Sequence, residues 1–262
     1  MYETISIESD DRGVVRLTLN RPEKHNAMSG AMIAELTQAA ARLGKDPAVR
    51  VIALQGAGQS FCAGADLGWM RAQINADAST RGREATALAM MLNALNTIPK
   101  PVVGRIHGNA FGGGIGLLSV CDVAVGAEGA RFALTETRLG LIPATIGPYV
   151  IARMGEAMSR RVFMSARLFA AEEAVRLGLL ARAVSPEELD AAVEEEVAPY
   201  LSCAPGAVAE AKALARKLGP RIDEAVIAET IAALVRRWDS PEAAEGVEAF
   251  FDKRKPDWVV RS

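Results

Sequence analysis

The sequence contains few of the residues that build metal centres or disulfide frameworks. Its 262 residues include two histidines, His25 and His107, and three cysteines. Two histidines are too few for a conventional zinc hydrolase site, so we expect no metal. The cysteines, Cys62, Cys121 and Cys203, are odd in number and far apart. They predict buried thiols in a reducing compartment, and therefore a cytoplasmic protein, rather than a set of disulfides.

The sequence also lacks an excess of one charge and any long apolar run. Lys and Arg together number 30 and Asp and Glu 32, which gives a formal net charge of -2. Such a balance does not favour binding to nucleic acid or to an anionic membrane surface. No apolar run reaches the roughly 18 residues of a membrane-spanning helix, and the acidic, strand-like start MYETISIE is unlike a signal peptide. We therefore expect neither nucleic acid nor a membrane as a partner.

Common hydrolase and nucleotide-binding motifs are missing as well. There is no GxSxG, and the glycines at 112–114 are neither spaced as GxGxxG nor followed by the Lys-Ser or Lys-Thr of a Walker loop. Ser119 and His107 could form a nucleophile pair. Without the motif that accompanies such a pair, His107 is better interpreted as the cap of a buried strand.

Strand and helix patterns alternate up to about residue 185, and only helix patterns follow. The later helices are predicted over 186–201, 205–217, 221–237 and 241–253. This order predicts an α/β layer fold with an all-helical C-terminal part.

Local signals place several elements. Ser29 is placed to cap a helix that begins directly after it. The continuous apolar run 49–55 predicts a buried strand. Residues 71–83 are polar and predict a loop or weak helix before a helix over 84–97. The step 185–188, Ser-Pro-Glu-Glu, predicts a helix with Ser185 as its cap.

Three consecutive glycines, 112–114, follow a predicted strand and open a short apolar helix. Each Gly inside a helix costs roughly 1 kcal/mol relative to Ala, so helix propensity does not explain them. Glycines at a helix start allow backbone N–H groups to approach an anion or a developing negative charge. The alternative is close packing of helix on strand without any ligand, and the glycines alone leave both interpretations open.

A series of short landmarks then connects the chain to a known family. They are Asn20-Arg21-Pro22, Asn26-Ala27-Met28, Phe61-Cys62-Ala63-Gly64-Ala65-Asp66-Leu67, the three glycines, Cys121-Asp122, Glu136 with Leu139-Gly140, and Ala249-Phe250-Phe251-Asp252-Lys253-Arg254. In order and spacing they resemble the enoyl-CoA hydratase/isomerase superfamily, the crotonases, over essentially the whole chain.

The resemblance implies a fold, a substrate and an assembly. The fold would be a crotonase-type spiral of ββα units over residues 1–195, with an all-helical region over 196–262 used in trimer assembly. The substrate would be an acyl-CoA thioester, and coenzyme A would then be part of the substrate rather than a separate cofactor. A homotrimer or a dimer of trimers is expected.

The resemblance also implies a site. By motif position, the backbone N–H groups of Ala65 and Gly113 would bind the thioester oxygen, on which negative charge develops during reaction. Lys24, Ala63, Asp66 and Leu67 match loops that border coenzyme A, and Phe250 and Lys253 match C-terminal positions that reach it. The alternatives are core packing for Phe250 and a solvated helix face for Lys253.

One position departs from the usual family pattern. Hydratases of this family commonly use two glutamates; Glu136 matches the second, but Gly116 stands where the first is expected. A single Glu136 suits either water addition or Δ3,Δ2-enoyl-CoA isomerisation, because one carboxyl group can accept and return a proton. A third alternative is a non-catalytic acyl-CoA binding subunit.

Two local stretches refine the expected substrate. The segments 65–70 and 132–149 resemble the methylglutaconyl-CoA and isohexenylglutaconyl-CoA hydratase branch, which serves leucine and acyclic-terpene breakdown. The resemblance implies a branched or dicarboxylic enoyl-CoA. Arg71, Arg138 and Lys100 are candidates to bind a substrate carboxylate, although long basic side chains are mostly solvated.

Overall fold

A computed structural model describes residues 2–260, and the strands in this part of the chain form two sheets. The strands of the six-stranded sheet are, in spatial order, β1 (Ile5–Ser9), β2 (Val14–Leu19), β3 (Val51–Gly56), β5 (Val102–Ile106), β7 (Val123–Ala127) and β10 (Arg182–Val184). Those of the four-stranded sheet are β4 (Ser60–Cys62), β6 (Asn109–Phe111), β8 (Arg131–Ala133) and β9 (Phe169–Ala170).

Successive strand pairs are shared between the two sheets. The β1–β2 pair is an antiparallel hairpin, and β2, β3, β5, β7 and β10 are parallel. The pairs β3–β4, β5–β6 and β7–β8 each give one strand to each sheet before the chain enters a helix. Parallel neighbours require such crossovers, and three repeats of the unit confirm the predicted ββα spiral.

Eleven helices are found among residues 2–260. They are α1 (Gly30–Lys45), α2 (Leu67–Ile74), α3 (Ala78–Thr97), α4 (Gly113–Ser119), α5 (Gly147–Met154), α6 (Glu156–Phe163), α7 (Ala171–Arg176), α8 (Leu189–Leu201), α9 (Pro205–Leu218), α10 (Glu224–Trp238) and α11 (Pro241–Phe251). Between β10 and residue 260 the regular elements are all helices, as the sequence predicts.

Helix caps explain where the sequence prediction holds and where it is wrong. Ser29 caps α1 by accepting a hydrogen bond from the Met32 N–H, as predicted. Of the two alternatives predicted for 71–83, the structure shows mostly helix. The predicted start of the next helix at residue 84 is wrong, because Asp77 accepts from the Thr80 N–H at 2.7 Å and starts α3 six residues earlier. Ser185 does not cap α8, since its hydroxyl donates to the Glu188 carboxylate at 2.8 Å instead.

The core lies between the sheets and the helices α1, α3 and α4. Inward residues of β2, such as Leu17, are fully buried there with Met32 and Leu36 of α1. On the outer face of the larger sheet, α8 covers a second apolar cluster through Val193 and Val197. The predicted division between residues 195 and 196 falls within α8; the division into two regions stays a prediction.

Two C-terminal helices return to the site side of the molecule. Helix α10 packs on α3 through Ile227 and Ile231, and α11 packs on the turn at 136–139 through Ala243 and Val247. Within residues 2–260, no helix combines the length and the hydropathy that crossing a membrane requires.

Candidate active site

The three glycines form the junction between β6 and α4. Gly112 has φ +45°, a left-handed conformation that glycine adopts without strain, and its N–H donates to the Ala133 carbonyl at 2.9 Å. Gly113 is the first residue of α4, so its N–H has no partner inside the helix. The positive end of α4 therefore presents this N–H to the space beyond it.

The segment around Ala65 lies beside that helix start. The Met28 N–H donates to the Gly64 carbonyl at 2.7 Å, and the Asp66 N–H donates to the Met28 carbonyl at 3.0 Å. These bonds fix the backbone on either side of Ala65. A Cβ atom built on Gly64 would lie 3.8 Å from the Gly113 nitrogen, so the two segments are neighbours. In the described part of the chain, neither the Ala65 nor the Gly113 N–H donates to a backbone oxygen.

Glu136 completes the group. It begins a single 3-10 turn, Glu136–Leu139, and its Oε1 lies 3.2 Å from the position that a Cβ on Gly112 would take. Its Oε2 is buried and has no hydrogen-bond partner among residues 2–260. Burial raises the pKa of Glu136 to about 7, while the amides of Glu136 and Thr135 act in the opposite direction. A carboxyl with a pKa near neutrality can both accept and donate a proton.

The raised pKa of Glu136 predicts a pH-dependent stability. The folded chain keeps a proton between pH 4.5 and 7 that the unfolded chain has released, so the free energy of unfolding falls as pH rises through this window. At about 1.4 kcal/mol per pKa unit, the full cost above pH 7 is roughly 3 kcal/mol. We expect Glu136→Gln to be more stable than the parent chain by up to this amount at pH 8, and nearly equal to it near pH 4.5.

Urea unfolding of both proteins at the two pH values measures this difference. An equal difference at pH 4.5 and pH 8 would contradict the assignment of the raised pKa to Glu136, because only an ionising group makes the difference depend on pH.

Gly116 faces hydrophobic side chains and not a second carboxylate. It lies four residues after Gly112, on the same face of α4 and one turn further along. A Cβ on Gly116 would lie 2.5 Å from Cγ2 of Ile146 and 3.5 Å from Cδ1 of Leu92. Ile146 therefore occupies the space that a side chain at 116 would need. The face of α4 that meets the Glu136 carboxyl at Gly112 therefore meets apolar side chains one turn later, at Gly116.

Ala65, Gly113, Glu136 and Ile146 line one cavity of about 450 Å³. Its walls come from α2, α3, α10 and the turn after Glu136, and they are mainly apolar: Trp69, Leu88, Leu141, Ile146, Leu234 and Trp238. The charged residues among its lining are Glu136 and Arg138, and Arg138 is exposed. The cavity can therefore enclose an apolar group beside one carboxyl and two backbone donors, with one cation near solvent.

The structure brings some of the predicted site residues together and leaves others outside. Ala63, Ala65, Leu67 and Gly113 line the cavity with Glu136.

Phe250 also lines the cavity and is 46% exposed, so the core-packing alternative for it is wrong. Lys24 is exposed at the end of a 3-10 turn, and Lys253 is exposed just after α11; neither lines the cavity. Their predicted contacts to coenzyme A stay predictions.

The Asp66 carboxylate makes its contacts within the protein. Its carboxylate caps α2 by accepting from the N–H groups of Gly68 and Trp69, at 2.8 and 3.1 Å. It also pairs with the Arg21 guanidinium at 3.0 Å, and these contacts hold its pKa below the usual range. The carboxylate therefore fixes the start of α2 next to Ala65, and the predicted contact of Asp66 to coenzyme A stays a prediction. An aspartate ahead of an apolar helix is itself an N-cap signal, and it could have been recognised in the sequence.

Two of the three cations proposed for a substrate carboxylate are placed elsewhere. Lys100 is buried, and its Nζ donates to the carbonyls of Asp46 and Val49 at 2.9 and 2.7 Å. The Arg71 guanidinium stacks on the Phe251 ring at 4.5 Å and does not line the cavity. Arg138 lines the cavity and stays a candidate to bind a substrate carboxylate.

The structure agrees with some of the other expectations from the sequence and corrects one. Ser119 and His107 do not form a pair, because the Ser119 hydroxyl is buried without a partner and His107 Nε2 bonds the Gly58 carbonyl at 2.9 Å. Cys62 and Cys121 are buried free thiols as predicted, but Cys203 is exposed. Among residues 2–260, no cluster of three or more His, Cys, Asp or Glu is arranged to hold a metal ion.

Comparisons with known proteins agree with this geometry. A family model described as enoyl-CoA hydratase/isomerase matches residues 9–261. The chain is 32% identical over 263 residues to the crotonyl-CoA hydratase of Syntrophomonas wolfei, with 99% of each chain covered. It is 33% identical over 252 residues to the mevalonyl-coenzyme A hydratase of Aspergillus fumigatus, covering 94% of this chain and 91% of the other. A crystal structure of an enoyl-CoA hydratase from Shewanella pealeana matches with a TM-score of 0.81 at 36% identity, over 98% of this chain and 97% of the other.

Proposed function

The chain belongs to the enoyl-CoA hydratase/isomerase family, and from that premise we propose that it adds water to the double bond of a 2-enoyl-CoA thioester, or removes it. One observation carries the proposal: the Glu136 carboxyl, whose Oε2 is buried without a hydrogen-bond partner among residues 2–260, lies against Gly112 at the start of α4, where the Gly113 N–H has no backbone partner. The hydratase names of relatives that match over most of their length support the same reaction.

In this reaction the thioester oxygen accepts hydrogen bonds from the N–H groups of Ala65 and Gly113. The ionised Glu136 takes a proton from water as the water oxygen bonds to the third carbon of the acyl group. The electrons of the double bond move toward the thioester, and negative charge collects on its oxygen. Two fixed donors stabilise that charge, and the positive end of α4 adds to the effect.

The second step returns the proton. Glu136, now protonated, donates to the second carbon, the negative charge leaves the thioester oxygen, and the carboxylate is restored. One H and one OH have been added, and one carboxyl has served as base and then as acid. A pKa near 7 favours both roles at neutral pH. This single-carboxyl sequence agrees with the apolar contact of Gly116 with Ile146.

We further propose a branched or dicarboxylic acyl group, such as that of 3-methylglutaconyl-CoA. Ile146 faces Gly116 of α4, one helical turn beyond Gly112, which Glu136 faces. It also lines the cavity, where it can contact a methyl branch of the acyl group. Arg138 offers a cation at the cavity wall for a carboxylate at the far end of the acyl group. A relative named for mevalonyl-CoA, whose acyl group carries a methyl branch, supports a branched substrate.

An assay of water addition to crotonyl-CoA, 3-methylcrotonyl-CoA and 3-methylglutaconyl-CoA tests this substrate class. We expect the highest kcat/KM for 3-methylglutaconyl-CoA. Arg138→Met should raise KM for that substrate about tenfold, since a hydrogen bond to a charged group contributes about 1.5 kcal/mol. The variant should leave KM for crotonyl-CoA unchanged.

Arg160→Met is the matched control, because Arg160 is an exposed arginine of α6 outside the cavity. A preference for crotonyl-CoA would contradict the proposed substrate class. An equal rise of KM for both thioesters would instead assign Arg138 to the coenzyme A portion.

The single carboxyl also favours a second candidate, Δ3,Δ2-enoyl-CoA isomerisation. Glu136 would remove a proton from the second carbon of a 3-enoyl thioester and return it to the fourth carbon, with the same two N–H donors. Separate assays with 3-hexenoyl-CoA and 2-hexenoyl-CoA distinguish the reactions. Conversion of the first without water addition to the second identifies an isomerase.

The remaining contacts to coenzyme A belong to the same proposal. Ala63, Leu67 and Phe250 border the cavity where the thioester chain would enter, and Lys24 and Lys253 would meet its phosphates at the exposed surface. Assembly of the helical C-terminal region into a homotrimer or a dimer of trimers is likewise proposed.

A further inference from the structure

Resting on the proposed role of Glu136, we propose that Arg237 is the positioning residue that fixes the Glu136 turn in the cavity wall. Arg237 lies near the end of α10, and it does not itself line the cavity. Its effect would therefore pass through the backbone of the turn and not through contact with substrate.

Arg237 binds the carbonyl that ends the turn. Its Nε and Nη2 both donate to the Gly140 oxygen, at 3.0 and 2.5 Å, and Nη2 also donates to the Glu242 carboxylate at 2.7 Å. Gly140 caps the 3-10 turn that Glu136 begins, with φ +68°. The Leu141 N–H donates to the Glu136 carbonyl at 3.0 Å and closes the turn. Holding the Gly140 carbonyl therefore holds the backbone of Glu136.

Helix α11 leaves the turn no free space on its other side. A Cβ on Gly140 would lie 2.4 Å from the Glu242 carbonyl oxygen, and one on Gly246 would lie 2.5 Å from the Leu139 carbonyl carbon. Leu139 is buried with Val247 in the same contact. Both donors to the partly buried Gly140 carbonyl come from Arg237, and removing them would take away the side-chain hydrogen bonds that hold this end of the turn.

The position of the carboxyl depends on this backbone. Glu136 Oε2 accepts no hydrogen bond, so no donor on that oxygen fixes the side chain. Arg138, on the same turn, is the other charged residue of the cavity lining, and the lining residues from α2, α3 and α10 are uncharged. The burial that sets the protonation of Glu136 therefore depends on how closely the turn is held against its apolar surroundings.

A second arginine, Arg81, also binds near the end of α10 but contacts α2 and not the Glu136 turn. Arg81 pairs with Asp239 at 2.7 Å and donates to the carbonyls of Gln73 and Ile74, at 2.9 and 3.0 Å. It connects the end of α10 to α2 and makes no contact with the Glu136 turn. Arg81 therefore provides a matched comparison for a general effect on the C-terminal helices.

The experiment compares Arg237→Met with Arg237→Lys, Arg81→Met and Arg236→Met, using crotonyl-CoA and 3-methylglutaconyl-CoA. Arg236 is the exposed neighbour of Arg237 and should behave as the parent chain. A displacement of about 1 Å at a reacting group can cost about 100-fold, so we expect R237M to lower kcat by about 10- to 100-fold. KM should change much less, because the cavity walls that bind the acyl chain stay in place.

Two further readouts separate positioning from general stability. Water reaching Glu136 in R237M should lower the pKa of its carboxyl and move the acidic limb of the kcat–pH profile to lower pH. R237K keeps one donor and should fall between R237M and the parent chain, and it decides the question by the same readouts where R237M does not fold. R81M should leave the acidic limb of the profile in place.

Three outcomes would overturn the inference: a kcat for R237M equal to that of R236M, an acidic limb that does not move, or equal losses of kcat in R237M and R81M. Turnover by Glu136→Gln at the parent rate would refute the proposed function itself. Loss of turnover in that variant beside an unchanged R237M would leave the proposed function standing and refute only the role of Arg237.

Discussion

Replacing Glu136 with Gln is expected to lower kcat by about 10²- to 10⁴-fold, the usual contribution of a general acid–base group. Gln has nearly the same shape but cannot take a proton from water and return it to carbon. The loss should appear in kcat with either thioester, since the proton transfers are common to all substrates. Steady-state assays of water addition at pH 7 measure it.

The structure offers a control for this variant and a check on its folding. Glu128→Gln changes an exposed glutamate after β7 and should keep the parent kcat. Because Glu136→Gln is expected to be at least as stable as the parent chain at neutral pH, its loss of rate cannot be ascribed to unfolding. Turnover within tenfold of the parent would contradict the assignment of Glu136 as the acid–base group.

Replacing Gly113 with Pro is expected to lower kcat by about 10²- to 10³-fold, as the loss of one donor to a developing oxyanion does. Proline removes the N–H and is tolerated at the first position of a helix, where Gly113 stands. Gly112 before it has φ +45°, and a glycine tolerates the restriction that a following proline imposes. The helix should therefore still form.

Gly113→Ala is the matched control, because it adds a Cβ but keeps the N–H. That Cβ would lie 2.1 Å from the terminal methyl of Met28, so this flexible side chain must move in both variants. A loss in G113P that far exceeds the loss in G113A identifies the N–H as the cause. Equal losses would assign the effect to the displaced Met28 and remove Gly113 from the oxyanion site.

Short, ordered motifs in the sequence predict the fold, which the structure confirms, and the centre of the candidate site. Ala65, Gly113 and Glu136 each follow a strand end or a turn with a recognisable local pattern, and the structure brings all three to one cavity. The alternation of apolar runs with helical periodicity predicts an α/β layer fold, and the ββα spiral itself is what the family resemblance implies. Errors arose at helix starts, such as that of α3, where a polar segment gave no apolar periodicity although Asp77 was present to cap it.

The remainder of the site depends on tertiary packing that no local pattern encodes. Leu234 and Trp238 of α10 reach the cavity only because α10 packs back on α3. Ile146 and Gly116 are 30 residues apart in sequence, and nothing near either one indicates that they meet. Lys100 resembles a surface cation in sequence, yet the carbonyls of Asp46 and Val49 allow its burial.

The contact of Gly116 with Ile146 restricts which sequences this site can reach by single substitutions. A side chain at 116 is blocked while Ile146 is present, since its Cβ would lie 2.5 Å from Ile146 Cγ2. Reducing Ile146 to Ala first opens the space but costs about 2–5 kcal/mol as a buried cavity. Either order passes through a less stable protein, so the two positions are epistatic. A change from one carboxyl to two therefore has to pass through a destabilised protein, whatever the second carboxyl would add to the rate.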